Sequence, residues 1–245
     1  HIYFLKVHKS ASSTLMNIIL RFAIHRNLSV MLPRKGNKVR RFKNSSSLIL
    51  PSFHPSGLYD IMCNHAVYIR QNMAPLFPKD TVYVGIVRQP FNQFVSAFVY
   101  YRDKYKLKYL KRIQGDNPIR TYLNNPSKYE SKSPGFSYTN NRMAYDFGYP
   151  PSDFQNISKF KEYLVQLESE VHFVLVVEYF TESLILLKRF LNWSFQDILY
   201  VIRNVRANTT MDLNFTDSDK QLHKRWAILD YTLYEHFKTV LLQKI

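Results

Sequence analysis

The sequence has very little cysteine and no long apolar run. Cys63 is the one cysteine among 245 residues, which excludes an intrachain disulfide and a zinc site built from cysteines. No stretch of about 18 apolar residues occurs, so no part of the sequence is predicted to span a membrane. The chain starts at His1, directly before an apolar run and without a signal peptide. We therefore expect a fragment that lacks an N-terminal targeting segment.

Acidic residues are also scarce. The chain has 18 Asp and Glu against 34 Lys and Arg, a formal net charge of +16, so its surface should attract anions such as nucleotides, sulfated glycans, nucleic acid or acidic membrane. The densest basic run, Arg34 to Lys43, is typical of a solvated loop. The hydrophobic fraction of 46% is enough for one substantial core, and we expect a single domain over residues 1–245.

Asparagine sequons are frequent for a chain of this length. Such sequons are the acceptor sites of N-glycosylation, so they favour a glycosylated domain in a lumenal compartment. The six sequons begin at Asn27, Asn44, Asn156, Asn192, Asn208 and Asn214.

The first residues combine a strand, a polar loop and a helix. Ile2 to Val7 is an apolar run typical of a buried strand, and Ser13 to His25 has apolar residues at helical spacing. The connecting loop offers a cation at Lys9, and the free N–H groups of the following helix should point back toward it. Ser10, Ser12, Ser13 and Thr14 add hydroxyls, and the last three are good helix caps.

This loop, Leu5 to Thr14, contains no glycine. It therefore departs from the GxxxxGK[ST] motif, which disfavours an ordinary nucleotide triphosphatase. The residues alone leave two interpretations open, a phosphate-binding loop and a simple helix cap.

Strands and helices alternate along the rest of the chain. This alternation predicts an α/β fold with a parallel sheet covered by helices, in which ligands bind at the carboxyl ends of the strands. Further strands are expected at Ser29–Leu32, Leu58–Cys63, Thr81–Val87 and His172–Val177. Helices are expected at Ala66–Phe77, Pro90 to about Tyr105, Tyr138–Asp146, Lys159–Glu168, Thr181–Leu191 and Asp217–Lys244.

A second candidate anion contact follows the strongest strand signal. Arg88 directly ends Thr81–Val87, and Ser96 lies about two turns into the next helix. Arg88 can form a bidentate pair with a phosphate, and Ser96 can donate a hydroxyl. Together with the Lys9 loop, this arrangement suits a nucleotide with phosphate at both ends.

Several segments carry a family resemblance. The stretch LKVHKSASSTLMNIILRFAIHRNLSVMLP resembles the first loop and helix of the galactose 3-O-sulfotransferases. The resemblance continues through VGIVRQPFNQFVSAFVYYR, NRMAYDFGY, VVEYFTESLILLKRFLNW and KRWAILDYTLYEHF, so it covers most of the chain.

The resemblance implies a P-loop-like sulfotransferase fold and the donor 3′-phosphoadenosine 5′-phosphosulfate (PAPS), with no metal. It assigns Lys9, Ser10, Ala11, Ser12, Ser13 and Thr14 to the 5′-phosphosulfate, and Arg88 and Ser96 to the 3′-phosphate. Lys6 matches a family lysine near the sulfuryl group, and Lys9 would neutralise charge on the departing phosphate oxygen.

The acceptor hydroxyl needs a base with a pKa near the working pH, which favours histidine. His65 is our choice, because it follows a predicted strand and matches the base position of related Golgi carbohydrate sulfotransferases. His8 and His54 are the competitors, and His8 could instead orient the loop. Asn140, Asn141 and Arg142 are candidate contacts for the acceptor sugar, with capping and packing as alternatives.

The expected reaction is sulfation of the 3-hydroxyl of a terminal β-galactose on a glycolipid, such as galactosylceramide, or on a glycoprotein glycan. The family also implies a Golgi membrane protein with a lumenal catalytic domain and an N-terminal signal-anchor, and a homodimer stays open. The alternatives are a heparan-type uronic-acid 2-O-sulfotransferase and a non-catalytic module that binds acidic glycans. A nucleic-acid-binding domain and a P-loop kinase lack supporting motifs.

Overall fold

A computed structural model of the protein describes residues 1–39, 48–201 and 214–245. Its centre is a five-stranded sheet with the strand order β2-β3-β1-β4-β5, and every pairing is parallel. The strands are β1 Ile2–Phe4, β2 Val30–Met31, β3 Ile61–Met62, β4 Val82–Val87 and β5 Phe173–Val176. The predicted α/β class, a parallel sheet flanked by helices, is confirmed.

The strands pair where the apolar runs are continuous. All residues of β1 and β5 are buried, and β4 is buried from Tyr83 onward. β1 lies at the centre, with Ile2 opposite Ile61 on one side and Val82 on the other. Parallel strands covered on both faces read as unbroken apolar runs. Because all five strands run the same way, residues that follow them meet at one edge of the sheet, which we call the carboxyl edge.

Helices connect and cover the strands. Those described are α1 Ser12–His25, α2 Arg70–Met73, α3 Pro90–Val99, α4 Lys108–Lys111, α5 Pro118–Asn124, α6 Pro126–Tyr129, α7 Arg142–Asp146, α8 Ile157–Glu170, α9 Phe180–Phe190, α10 Phe195–Ile198, α11 Asp217–Trp226 and α12 Ile228–Leu242. A π-helical turn, Tyr100–Lys104, continues α3. Gly85 of β4 lets Phe147, just after α7, approach the sheet, because a Cβ there would meet that ring at 2.9 Å. α7 is thereby seated close to β4.

Three predicted helices differ from the structure. The expected helix Ala66–Phe77 shrinks to α2 and a 3₁₀ turn, Ala74–Leu76, because Pro75 cannot continue an α-helix and residue 69 is extended. Only residues 142–146 of the expected helix Tyr138–Asp146 are helical, because Asn141 has a positive φ and interrupts the chain before α7.

The expected C-terminal helix Asp217–Lys244 is two helices, divided at Ala227. The break has a tertiary cause, since the side-chain Oδ1 of Asn141 accepts hydrogen bonds from the backbone N–H groups of Leu229 and Asp230 at 3.0 and 3.3 Å. α9 starts one residue before the expected Thr181 and has no side-chain cap, and a 3₁₀ turn, Val177–Tyr179, runs directly into it.

The buried apolar residues form two clusters. The larger surrounds the sheet, and the smaller, which we call the helical cluster, is centred on Phe91, Phe94 and Tyr122 of α3 and α5. Within the described residues, no helix is both long and apolar enough to cross a membrane.

Four of the six sequon asparagines, Asn27, Asn156, Asn192 and Asn214, are exposed on this fold. The other two, Asn44 and Asn208, lie outside the described residues, as does part of the basic run Arg34 to Lys43.

Candidate active site at the carboxyl edge

The loop after β1 adopts a left-handed conformation at two residues that are not glycine. Lys9 has a φ of 60° and Ala11 a φ of 50°, and α1 starts immediately afterwards at Ser12. Ala11 occupies the N-cap position and no side chain caps the helix, so the predicted capping by Ser12, Ser13 or Thr14 is wrong. The first N–H groups of α1 therefore stay available to a ligand.

Three hydrogen bonds to main-chain carbonyls hold this loop in place. The hydroxyl of Ser12 donates to the carbonyl of Val7 at 2.7 Å. From α3 and the end of β4, Gln93 Nε2 donates to the carbonyl of His8 at 2.9 Å, and Arg88 Nη1 donates to the carbonyl of Lys9 at 3.1 Å. The structure therefore brings Arg88 and the Lys9 loop together, as the sequence predicted.

Two lysines lie in and below the loop. Lys9 Nζ is 3.9 Å from the ring centroid of Tyr100, in the π-helical turn. Lys6 is buried, and within the described chain its one hydrogen-bond acceptor is the thioether sulfur of Met16, at 3.1 Å. Burial lowers the pKa of Lys6. A thioether is a weak acceptor and a buried cation without an anion is costly, so these residues fit an anionic ligand.

His65 lies beside the same loop, three residues after β3. Its Nδ1 is 2.8 Å from the carbonyl oxygen of Lys6, so Nδ1 carries the proton and Nε2 keeps the lone pair. The main chain of His65 is bonded on both sides, to Asn37 at 3.1 Å and to Val39 at 2.8 Å. Burial is the main cause that lowers the pKa of His65 to about 2, and the neighbouring His8 and Lys6 act in the same direction because each opposes a further positive charge beside it.

A buried ionic network lies behind His65. Asp146, at the end of α7, accepts two hydrogen bonds on Oδ2, from the backbone N–H of His8 at 2.9 Å and from His8 Nδ1 at 2.7 Å. Its other oxygen accepts from Arg142 Nη2 at 2.8 Å. Burial acts to raise the pKa of Asp146, but the charge of Arg142 and the bonds from His8 outweigh it and hold that pKa below its usual range. The rings of His8 and His65 stack with centroids 3.9 Å apart.

The other candidates for the acceptor sugar have different surroundings. Asn141 is buried and bonded to the start of α12, and Arg142 is buried and donates to the carbonyl of Ser137 at 3.0 Å. Asn140 is half-buried and accepts a bond from Asn141 at 3.0 Å. The first two side chains therefore have internal partners.

His54 is not brought to this site. It is exposed, its ring is bonded to the hydroxyl of Ser56, and its loop is tied by Ser52 to Ser29, the residue before β2. That contact places His54 near the amino edge of the sheet, opposite the Lys9 loop.

The remaining donor candidates differ in burial. Ser10 and Ser12 are buried, Ser96 on α3 and Thr14 on α1 are half-buried, and Ala11 and Ser13 are exposed.

Sequence reasoning did not assign Asp146, Gln93 or Tyr100 to the site. Asp146 and His8 are 138 residues apart, so no spacing predicts their contact. The one signal for Asp146 was its place in the stretch NRMAYDFGY. Across the described residues, no group of three or more His, Cys, Asp or Glu side chains is arranged to hold a metal ion.

Comparison with known proteins decides the family. The model of the family described as Galactose-3-O-sulfotransferase matches residues 1–245. The chain belongs to the galactose-3-O-sulfotransferase family. Mouse galactose-3-O-sulfotransferase 2 is 33% identical over 97% of this chain and 60% of its own length. Human galactosylceramide sulfotransferase is 30% identical over 100% of this chain and 57% of its own length.

Mouse galactose-3-O-sulfotransferase 3 is similar to the same extent, at 31% identity over 99% of this chain and 56% of its own length. The chain thus spans less than two thirds of each of these curated family members. The stretches that carried the resemblance in the sequence lie in the loop after β1 with α1 and β2, in β4 and α3, in α7, around β5 and α9, and in α11 and α12.

Proposed function

We propose that the protein transfers a sulfuryl group from PAPS to the 3-hydroxyl of a terminal β-galactose. The observation that carries the proposal is the contact between His65 and the main chain of the Lys9 loop at Lys6. His65 Nδ1 is bonded to the carbonyl of Lys6, which leaves the Nε2 lone pair of a histidine next to an anion-binding loop. The names of the relatives supply the reaction class for this geometry.

The loop and its neighbours would hold the donor. Main-chain N–H groups at the start of α1, the hydroxyls of Ser10, Ser13 and Thr14, and the ammonium of Lys9 form one cradle, for the 5′-phosphosulfate. The Ser12 hydroxyl shapes this cradle by donating to the carbonyl of Val7. Arg88 is tied to the Lys9 carbonyl and Ser96 lies on the helix that follows it, so these two form the other, for the 3′-phosphate. The buried ammonium of Lys6 adds positive charge that acts on His65.

The donor supplies an activated sulfuryl group whose bond to a phosphate oxygen breaks as the bond to the acceptor oxygen forms. His65 Nε2 takes the proton of the acceptor hydroxyl. Lys9 stabilises the negative charge that remains on the phosphate.

The bound donor has to make His65 a stronger base. His65 in the free protein holds its proton too weakly for an efficient base, because burial and nearby positive charge lower its pKa. A phosphosulfate group bound on the loop brings negative charge close to His65, Lys6 and Lys9. It therefore raises the pKa of His65 toward the working range, so that the base becomes effective once the donor is in place.

The acceptor class is proposed from the relatives. Their names point to galactose and to galactosylceramide, which favours a terminal β-galactose on a glycolipid or a glycoprotein glycan. The exposed bases Arg34, Lys35 and Lys38 lie on the segment bonded to His65. They favour a second candidate, a heparan-type 2-O-sulfotransferase that acts on an anionic glycan.

The location of the full-length protein is proposed on the same basis. We infer a Golgi membrane protein with this domain in the lumen and an N-terminal signal-anchor outside the present chain. The four exposed sequons support a lumenal setting. A homodimer is compatible with this arrangement.

Donor binding and transfer test the proposal together. We expect 3′-phosphoadenosine 5′-phosphate to raise the melting temperature, and Lys9→Ala and Arg88→Ala each to weaken that effect and abolish transfer from labelled PAPS to a lactosyl acceptor. Lys244→Ala is the matched control, because Lys244 lies near Phe173, at the amino end of β5. Full transfer in both site variants would refute the proposal.

The acceptor panel separates the alternatives. Transfer to desulfated heparan but not to the lactosyl acceptor would favour the 2-O-sulfotransferase. Binding of acidic glycans with a steep loss in salt, and no stabilisation by the bisphosphate, would indicate the non-catalytic module.

A further inference from the structure

Two histidines meet at the site, and only one of them has the exposure that a base needs. His8 is 4% exposed, while His65 is half-buried. The Nε2 atom of His8 is buried and has no hydrogen-bond partner within the described chain. His8 therefore lacks a route by which to exchange a proton with an acceptor or with solvent.

The protonation state of His8 follows from its neighbours. Asp146 Oδ2 is 2.7 Å from Nδ1, and a carboxylate can only accept, so the proton of His8 lies on Nδ1. A second proton would place a cation beside Arg142, whose Nη2 is 3.1 Å from the same nitrogen. Burial and the Arg142 charge lower the pKa of His8 to about 4, so the ring is neutral near pH 7.

The neutral ring of His8 lies flat against His65. The two ring planes are inclined by 14° and their centroids are 3.9 Å apart. The bond from His65 Nδ1 to the Lys6 carbonyl limits rotation within the plane, and the stack limits tilting of the plane. Together they determine where Nε2 of His65 points. A charged ring at this distance would instead oppose protonation of His65.

We propose that His8, oriented by Asp146, is a positioning residue that sets the ring plane of His65. The inference rests on the proposed function in that His65 is taken as the base. It assigns Asp146 to the reaction indirectly, through His8, and it explains why a helix so far along the chain is bonded to the first loop.

Variants of His8 distinguish the effect of its stacking on His65 from the effect of its ring hydrogen bond to Asp146. His8→Ala removes both, and we expect kcat to fall about 10²-fold, as a small misalignment does, while the KM for the donor changes little. His8→Phe keeps a flat neutral ring, and the backbone bond to Asp146 persists, so it should recover most of the lost kcat. The control is His223→Ala, because His223 is 1% exposed and stacked on Phe94 in the helical cluster.

A double-mutant cycle tests whether His8 acts through His65. In a His65→Ala background, His8→Ala should reduce kcat by less than about twofold further, since the ring it positions is gone. Independent losses that multiply would overturn the inference. A large loss in His65→Ala with full kcat in His8→Ala would also overturn it, and would leave the proposed function intact. Full kcat in His65→Ala would instead refute the base assignment.

A spectroscopic measurement needs no variant and no donor. Proton–nitrogen correlation spectra of the ¹⁵N-histidine protein at pH 7 should show His8 and His65 both neutral and protonated on Nδ1. Asp146→Asn should change the His8 pattern, whereas Asp219→Asn should not, because Asp219 is a buried carboxylate paired with Arg120 on α5. A proton on Nε2 of His8, or a charged His8 ring, would overturn the inference even if every His8 variant failed to fold.

Discussion

The two edges of the sheet each received a candidate histidine, and the structure treats them differently. At the carboxyl edge His65 is half-buried, bonded through Nδ1 to the main-chain carbonyl of Lys6 and stacked on a second histidine. At the amino edge His54 is exposed and bonded to a hydroxyl two residues away. A histidine held by partners distant in sequence has one orientation, while one bonded within its own turn moves with its loop. The difference suggests that long-range partners, more than residue type, mark the reactive edge.

The largest expected effect comes from removing the two histidines in turn. His65→Ala should lower kcat by about 10²- to 10⁴-fold, the range found for loss of a general base. His54→Ala should leave kcat within about twofold, because its loop is bonded through Ser52 to Ser29 at the amino edge. Steady-state rates of sulfate transfer measure both. Equal losses in the two variants would contradict the contrast between the edges.

Two glycines, one after α7 and one in the His54 loop, should differ in how much their substitution destabilises the fold. Gly148, after α7, has a φ of 102°, and a Cβ there would overlap the carbonyl oxygen of Tyr68 and lie 2.8 Å from Tyr163 Oη. Gly148→Ala should cost about 3 kcal/mol or more in the free energy of unfolding. Gly57, in the loop of His54, has a φ of 73° and open space around it, so Gly57→Ala should cost about 1 kcal/mol. Chemical denaturation measures both, and a smaller cost at Gly148 would show that Tyr68 can move.

Acid should destabilise the protein through its buried histidines. Burial lowers the pKa values of His8, His65 and His223 to about 4, 2 and 3, so below their unfolded value near 6.5 the unfolded chain binds protons that the folded chain does not. Asp230 acts in the opposite sense, because burial raises its pKa to about 7. Because three histidines act against one aspartate, the free energy of unfolding falls as the pH drops from 6.5 toward 4.

The melting temperature should therefore fall by roughly 5 °C or more over this interval. His8→Phe should make the slope shallower by removing one of the three groups. A melting temperature that rises on acidification would show that Asp230 dominates.

The smallest effect is expected at a buried cap. Asn141→Ala removes the acceptor for two N–H groups at the start of α12 and should cost about 1 to 2 kcal/mol. Asn156→Ala removes an exposed cap, which accepts from Lys159 N at 2.9 Å, and should cost about 1 kcal/mol or less. Thermal unfolding compares them. A cost at Asn156 equal to or above that at Asn141 would mean that burial adds nothing to the cap.

The sequence was a good guide where the information is local. Continuous apolar runs predicted all five strands, and the rule that parallel strands end at one edge predicted that Lys9, His65 and Arg88 lie at the same edge. Each of these depends on a few consecutive residues and on topology. The short helices α5 and α6 were missed although Asn-Pro pairs begin both, with Asn117 and Asn125 as side-chain caps.

The features that the sequence did not predict depend on contacts between residues far apart in the chain. His54 and His65 both precede or follow a strand, and only the pairing of residues 48–50 with residues 32–34 takes the His54 loop back to the amino edge. The break at Ala227 needs Asn141, and the His8 tautomer needs Asp146. Local sequence patterns do not predict these contacts, because each joins segments that are far apart in the chain. Asn141 and Asp146 reach their partners because α7 packs over Gly85 of the sheet.

The loop after β1 has a consequence for the speed of donor capture. Lys9 and Ala11 hold left-handed backbone angles without glycine. Ser12 of the loop itself, together with Arg88 and Gln93 from neighbouring elements, bonds three of the loop's carbonyls. A loop built in this way has its conformation before any ligand arrives, so the proposed nucleotide donor would have no loop to order on binding. Association should then approach a rate set by diffusion and by the attraction of a chain with net charge +16, and it should slow as added salt screens that attraction.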